Sequence, residues 1–231
     1  MRVRYEAAIF DLFGTLVPSF FSRSYAENLR DMASILSVPY GEFERAWTDT
    51  YEQRAIGEFP TIAENLRHIL AELGLSVDEE KIEEAVRKRD VFIRQALVPR
   101  PEAVEVLTEI RARGLKTGLI SDCSPEVPLL WGETMLAPLF DAAVFSPQAR
   151  TRKPDPRIYL LVCDKLAVAP DRCIYTGDGG NNELSGASQV GMSAVLIRVP
   201  GEDTDDAYRH EASEWKGPWI SGLMGILEFI G

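Results

Sequence analysis

Hydrophobic positions along the chain change their period twice. Ala7–Phe10 is a short apolar run closed by Asp11, which predicts a buried strand ending in a carboxylate. Gly14 then supplies a turn. From about Ser19 to Leu97 apolar residues recur at helical spacing: Leu29, Met32, Ala33 and Leu36; Phe43, Ala46 and Trp47; Ile62, Leu66, Ile69, Leu70 and Leu73; Ile82, Val86 and Ile93. Gly41, Pro60 and Gly74 punctuate them, so the pattern predicts an all-helical insert of about four helices. Pro99 and Pro101 open a third texture. It predicts helix Glu102–Arg113 capped by Gly114, strand Lys116–Ile120, a short helical stretch before Phe140 and strand Ala142–Phe145. Helix Asp155–Leu166, strand Cys173–Tyr175, helix Glu183–Val190 and strand Ser193–Ile197 follow, then a short strand at Trp219-Ile220 and a closing helix over Leu223–Ile230.

Strands alternating with helices predict an α/β fold whose parallel sheet is covered on both faces. The reading is a Rossmann-like, doubly wound core with an all-helical cap inserted after the first strand. Residues 1–17 plus 99–231 form the core and 18–98 the cap. In such sheets a ligand binds beyond the carboxyl ends of the strands.

Composition narrows the partners. The 231 residues are 45% hydrophobic and 26% charged, ordinary for a globular chain with a core. The formal net charge of -11 disfavours nucleic acid and anionic membranes as partners. It also repels anionic substrates, so a phosphate site needs local donors and a cation. Cys123, Cys163 and Cys173 form no CxxC pair, which argues against a disulfide framework or zinc site and for a reducing cytoplasm. No apolar run approaches the ~20 residues needed to span a bilayer, and the N-terminus lacks the apolar stretch of a signal peptide.

Four strand ends carry polar groups: Asp11 in Asp11-Leu-Phe-Gly-Thr15, Ser121 in Leu119-Ile-Ser-Asp122, Lys153 in Arg150-Thr-Arg-Lys-Pro-Asp155, and Asp178 in Thr176-Gly-Asp-Gly-Gly-Asn-Asn-Glu183. Each alone is a common turn, cap or surface residue. Together at one sheet edge they describe a site. Asp11 and Asp178 can share a hard cation such as Mg2+. Asp11 can attack in line as a covalent nucleophile. Ser121 and the backbone N–H groups after Asp11, at Gly14 and Thr15, can hold transferring oxygens, and Lys153 adds positive charge.

These motifs, in this order, resemble the haloacid dehalogenase superfamily of hydrolases over essentially the whole chain. The resemblance implies that Asp11 is the nucleophile, Ser121 the phosphate-binding hydroxyl, Lys153 the third-motif lysine and Asp178 the metal carboxylate. It implies the backbone carbonyl of Phe13 as a further magnesium ligand. Gly186-Ala-Ser-Gln-Val-Gly-Met192 resembles the helix and turn that follow in that family.

The pattern breaks at Phe13. Phosphatases of this family carry there an Asp that protonates the leaving group, assistance worth about 10²–10⁴-fold. The dehalogenases carry Tyr and the phosphonatases Ala. Gly177-Asp178 points back toward the metal-dependent phosphatases. Glu183 stands where many phosphatases have a second acid; it either reaches the metal shell through water or leads the next helix. Asp122 is a replacement acid, a group orienting Ser121, or a turn former. Arg23, and less so Arg30, could reach an anionic substrate from the cap. Lys81 and Lys88 look like solvent-face residues, which argues against a Schiff base.

The preferred expectation is a Mg2+-dependent phosphohydrolase of a small phosphorylated metabolite acting through an aspartyl-phosphate on Asp11, with its usual general acid replaced by Phe13. The alternatives are a 2-haloacid dehalogenase-like, carbon-centred hydrolase, or a phosphate-binding protein that has lost turnover. The expected partner is a small anionic substrate, and the expected assembly a monomer or homodimer.

Overall fold

The computed structural model describes residues 5–19, 22–76, 78–202 and 209–231, without the side chains of Ser22 and Arg23. Strand β1 (Ala7–Phe10) leads into five helices: α1 (Ser22–Leu36), α2 (Tyr40–Asp49), α3 (Tyr51–Ala55), α4 (Ile62–Glu72) and α5 (Glu79–Ala96). Then come α6 (Ala103–Ala112), β2 (Lys116–Ser121), α7 (Glu126–Leu130), β3 (Ala142–Phe145), α8 (Ser146–Ala149) and α9 (Pro156–Leu166). The chain continues with β4 (Cys173–Gly177), α10 (Glu183–Gln189), β5 (Ser193–Ile197), α11 (His210–Glu214) and β6 (Trp219–Ile220).

The strands form one parallel sheet in the order β3-β2-β1-β4-β5-β6. The chain winds outward from β1 through β2 to β3, then restarts on the other side of β1 with β4. The crevice at that reversal is where such sheets bind ligands, and Asp11 and Asp178 both follow the strands that flank it. Alternation fills the two faces. Ala8, Phe10, Leu119, Ile174 and Val195 join one buried cluster, while Ala7, Ile9, Ile120, Tyr175 and Leu196 join the other. The α/β class with its helical insert after β1 is as the sequence predicts.

The insert has its own core, built from Leu29, Met32, Phe43, Trp47, Leu66, Ile69 and Ile82 among others. Two local details differ from expectation. The insert has five described helices rather than four, because the chain breaks at Thr50 between α2 and α3, where Thr50 Oγ1 donates back to the carbonyl of Ala46. Such back-bonding competes with the helix and bends it. The expected closing helix over Leu223–Ile230 is a 3-10 helix over Leu223–Glu228. Gly225 lies inside it, packed so closely that a Cβ there would sit 2.9 Å from the Ile220 side chain. A glycine costs an α-helix about 1 kcal/mol relative to alanine, and close packing on β6 replaces the missing helical preference.

Candidate active site

Asp11 leaves β1 with its N–H bonded to the carbonyl of Thr176 on β4 at 2.9 Å, so its backbone is fixed by the neighbouring strand. The tight turn after it needs a glycine. Gly14 has φ +85°, and a Cβ there would lie 1.9 Å from Asp178 Oδ2. Thr15 Oγ1 donates to Asp11 Oδ2 at 3.1 Å. Lys153 Nζ donates to Asp11 Oδ1 at 2.5 Å and to Glu183 Oε2 at 2.6 Å. Glu183 is fully buried in the first turn of α10. It also accepts from Tyr175 OH at 2.6 Å and from Gly179 N–H at 2.9 Å. Asp178 Oδ1 accepts from Gly180 N–H at 3.0 Å, and Oδ2 pairs with Arg209 at 2.6 Å.

Oxygens of Asp11, Asp178 and Glu183 lie within 4.8 Å of one another. Burial pushes the Asp11 carboxyl well above its ordinary value; Lys153 opposes this, while Glu183 and Asp178 add to it. Asp178 is pushed up to about 6, by burial first and the Glu183 charge second, with Arg209 opposing. Glu183 goes the other way. Burial would raise it, but Lys153, Tyr175 and the Gly179 N–H more than offset that. Lys153 keeps its proton, because its carboxylate neighbours outweigh the burial that disfavours its charge. Three clustered carboxylates thus face two cations, Lys153 and Arg209.

That donor set suits a hard divalent cation. Asp11 and Asp178 are the side chains that face the cavity with oxygens to offer it, and burial first, then their acidic neighbours, hold both pKa values up. Glu183 differs in degree: it accepts three hydrogen bonds, from Lys153, Tyr175 and the Gly179 N–H, and its pKa is lowered rather than raised. The structure bears out one of the two roles the sequence suggests and adds another. Glu183 leads α10, and it anchors Lys153 against Asp11. Ser121 Oγ, at the end of β2, is fully buried and does not line the cavity described below; it has no oxygen or nitrogen partner among the described residues, and the Cys123 thiol is near it. A buried hydroxyl left this way is a place where a ligand oxygen fits.

A cavity of about 540 Å³ opens over this edge. Asp11, Phe13, Asp122, Lys153, Asp178 and Arg209 line its floor; Tyr25, Trp47, Tyr51, Arg54 and Arg89 line it from the helical insert. Two ion pairs tie the insert to the core beside it. Arg89 on α5 donates to Glu126 on α7 at 2.9 Å with both side chains buried, and Arg152 pairs with Glu52 on α3.

A family model of the haloacid dehalogenase-like hydrolases matches residues 5–191. The chain belongs to that family. A phosphatase of Mycobacterium tuberculosis is 28% identical over 98% of this chain and 98% of its own length. A (S)-2-haloacid dehalogenase of Pseudomonas sp. (strain CBS-3) is 27% identical over 90% of this chain and 92% of its own. Among solved structures, a family enzyme of Bacteroides thetaiotaomicron in complex with magnesium and inorganic phosphate superposes with a TM-score of 0.63 at 18% identity, covering 89% of this chain and all of that one. This chain is accordingly a hydrolase, with both phosphatases and dehalogenases among its relatives.

The hydrolase brings Asp11, Thr15, Lys153 and Asp178 together as a connected cluster, with Phe13 and Asp122 on the cavity wall. Asp122 is committed to loop geometry. Its Oδ1 accepts from Lys153 N–H at 3.1 Å and its Oδ2 from Asn181 Nδ2 at 3.0 Å. The Arg23 side chain lies outside the described residues. Arg30 stacks over Tyr40 on the exposed side of α1, Lys88 pairs with Asp31, and Lys81 donates to Ser37; none of these three lines the cavity.

Sequence reasoning missed Arg54, Arg89, Tyr175 and Arg209. A signal existed for the first two. Ile82, Ala85, Arg89 and Ile93 share one buried stripe of α5, and Phe43, Trp47 and Arg54 continue another at the same spacing. A charge on an apolar stripe is the informative exception. Tyr175 and Arg209 carry no pattern that sets them apart.

Proposed function

We propose that this hydrolase is a magnesium-dependent phosphohydrolase of a small phosphorylated metabolite, with Asp11 as the nucleophile that forms an aspartyl-phosphate. The observation that carries the reading is the pair Asp11 and Asp178, two buried carboxylates with raised pKa at the sheet reversal. A carbon-centred displacement by Asp11 needs no metal, and would use a second carboxylate only to activate the water that hydrolyses its ester. Asp11 and Asp178 would hold the ion, which when bound screens phosphate from the carboxylates and polarises the phosphoryl oxygens. Lys153 keeps the attacking oxygen of Asp11 in place and supplies charge to the developing oxyanion. Ser121 Oγ donates to a phosphoryl oxygen. Phe13 excludes water beside the nucleophile but offers no proton, and both oxygens of Asp122 already accept hydrogen bonds. The leaving group must therefore depart as a stable anion.

Two observations favour the dehalogenase reading: Phe13 stands in place of an acid, and Arg209 pairs with Asp178. Steady-state assays separate the two. Magnesium-dependent phosphate release from p-nitrophenyl phosphate, lost on Asp11→Asn by on the order of 10⁴-fold or more, supports the phosphohydrolase. Alkyl phosphates turn over far more slowly than aryl ones, and Phe13→Asp raises their rate by about 10²–10⁴-fold. Halide release from 2-chloropropionate that survives chelation overturns the reading.

A further inference from the structure

Arg54 on α3 is 1% exposed and lines the cavity from the insert. Its Nη1 donates to the Trp47 carbonyl at 2.7 Å, to Thr50 Oγ1 at 2.6 Å and to Asn65 Oδ1 at 3.1 Å. Its guanidinium lies over the Trp47 ring at 3.9 Å. All of these partners are neutral. Arg54 makes no ion pair among the described residues, and its buried Nε has no acceptor. Beside it, the fully buried Asn65 also leaves Nδ2 without an acceptor. Arg89 and Glu126 also act on Arg54, and these two pair with each other through Glu126 Oε1. Tyr25 and Tyr51 lie near the guanidinium as well.

A buried charge without a counter-ion is costly, and proteins pair such charges wherever they can. Arg54 lines the cavity, so a ligand there can supply the missing acceptor. We propose that Arg54, with Asn65 behind it, is an anion subsite in the insert that binds a second negatively charged group on the substrate, a carboxylate or a second phosphate. The inference rests on the phosphohydrolase reading for what happens at Asp11, and it deepens that reading by naming the substrate class: a small phosphate ester that is also an acid. Burial pushes Arg54 down to about 10, so it remains charged at neutral pH and available to an anion. The planar guanidinium, pinned flat on Trp47 by Nη1, presents a fixed edge, which suits a carboxylate or phosphate better than a mobile lysine would. The cavity, at about 540 Å³, holds a small substrate bridging Asp11 and Arg54.

Three unreactive sulfonates test this by calorimetry on the full chain with magnesium present: ethanesulfonate, sulfoacetate and ethane-1,2-disulfonate. The first has one anionic group; the other two add a carboxylate or a second tetrahedral anion. Wild type is expected to bind at least one of the two dianions about 10- to 100-fold more tightly than ethanesulfonate. Arg54→Gln is expected to shrink that ratio to within about 3-fold, and Arg54→Lys to leave an intermediate value. Which dianion binds more tightly identifies the second group. A ratio near one in wild type, or a ratio that survives Arg54→Gln, overturns the proposal; Arg54 then serves only to hold α2, α3 and α4 together. Fluorescence keeps the test open should Arg54→Gln fail to fold. The favoured dianion is expected to shift the emission of wild type, and the shift to vanish in Trp47→Phe; no shift in wild type overturns the subsite. Because the sulfonates do not turn over, this result stands apart from the phosphatase assay. Absent phosphate release with the binding ratio intact removes the reaction and keeps the subsite. Phosphate release with a ratio of one does the reverse.

Discussion

Lys153 and Arg54 are buried cations on two sides of one cavity, the first on the core and the second on the helical insert. Lys153 has two carboxylates within 2.6 Å, and burial fails to strip its charge. Arg54 has three neutral acceptors and an indole face, and burial pushes it down to about 10. On the core side the protein supplies the counter-ions of Lys153 from its own side chains. At the insert it leaves a positive charge for something else to complete. A site that must act on every substrate carries its counter-ions with it, whereas a site that must choose among substrates leaves a partner out.

Replacing each cation by an apolar side chain of similar length breaks the comparison most directly. Lys153→Met leaves Asp11 and Glu183 buried without their cation. A broken buried pair costs about 3–5 kcal/mol, so chemical denaturation should show a loss of about 3 kcal/mol, and turnover should fall by about 10²–10³-fold. Arg54→Met removes a charge that has no ion pair among the described residues. Its lost hydrogen bonds to Thr50 and Asn65 are offset by relief from an unpaired charge, so the same experiment should show a change of no more than about 1 kcal/mol. Equal losses in the two variants would mean that Arg54 is as fully compensated as Lys153, contrary to the contacts described.

Glu183→Gln sharpens the core half. Glutamine still accepts from Gly179 N–H and can still bond Tyr175, but Lys153 loses one of its two anions. If Glu183 anchors the lysine, kcat should fall by about 10-fold at unchanged magnesium affinity, a loss the size of one charge-assisted hydrogen bond. A large drop in magnesium affinity with kcat intact would instead place Glu183 on the metal. Tyr175→Phe removes only the hydroxyl that donates to Glu183 Oε2 and should cost about 1 kcal/mol of stability, read as a lower melting temperature.

This contrast also marks what the sequence could reveal. Strands Ala7–Phe10, Ala142–Phe145 and Ser193–Ile197 were legible to the residue, because each is a compact apolar run between turn formers. The reacting end was legible for the same reason: Asp11, Ser121 and Asp178 mark the ends of such runs, and Lys153 sits in a Pro-bounded loop. Ile93 was assigned to the insert by its period, yet it packs into the core cluster with Phe10 and Leu12, because the last turn of α5 rests on the sheet. The pairing of Glu183 with Lys153 and the isolation of Arg54 depend on contacts between segments 30 and 11 residues apart in the chain. Nothing in a local pattern distinguishes an arginine with an acid beside it from one without.

The smallest effect concerns how the Lys153 loop is held. Asp155 caps α9, accepting from Arg157 N–H at 2.9 Å, and Arg157 also pairs with its carboxylate. Chiefly the Arg157 side chain, with its N–H second, pushes the Asp155 carboxyl down to about 2. The folded value lies below the unfolded value of about 3.9. The cap therefore contributes fully above about pH 4 and is lost as pH falls toward 2. Asp155→Ala should lower the melting temperature by about 2–4 °C at pH 7, matching a cap worth about 1 kcal/mol, and by less at pH 2. Asp155→Asn should keep most of the cap while flattening this acid dependence. Turnover should not change in either variant. Lys153 stands only two residues away, but its N–H is tied to Asp122 and its ammonium to Asp11 and Glu183. If turnover falls with the cap, the lysine is positioned by its helix rather than by its counter-ions, and the contrast with Arg54 loses its physical basis.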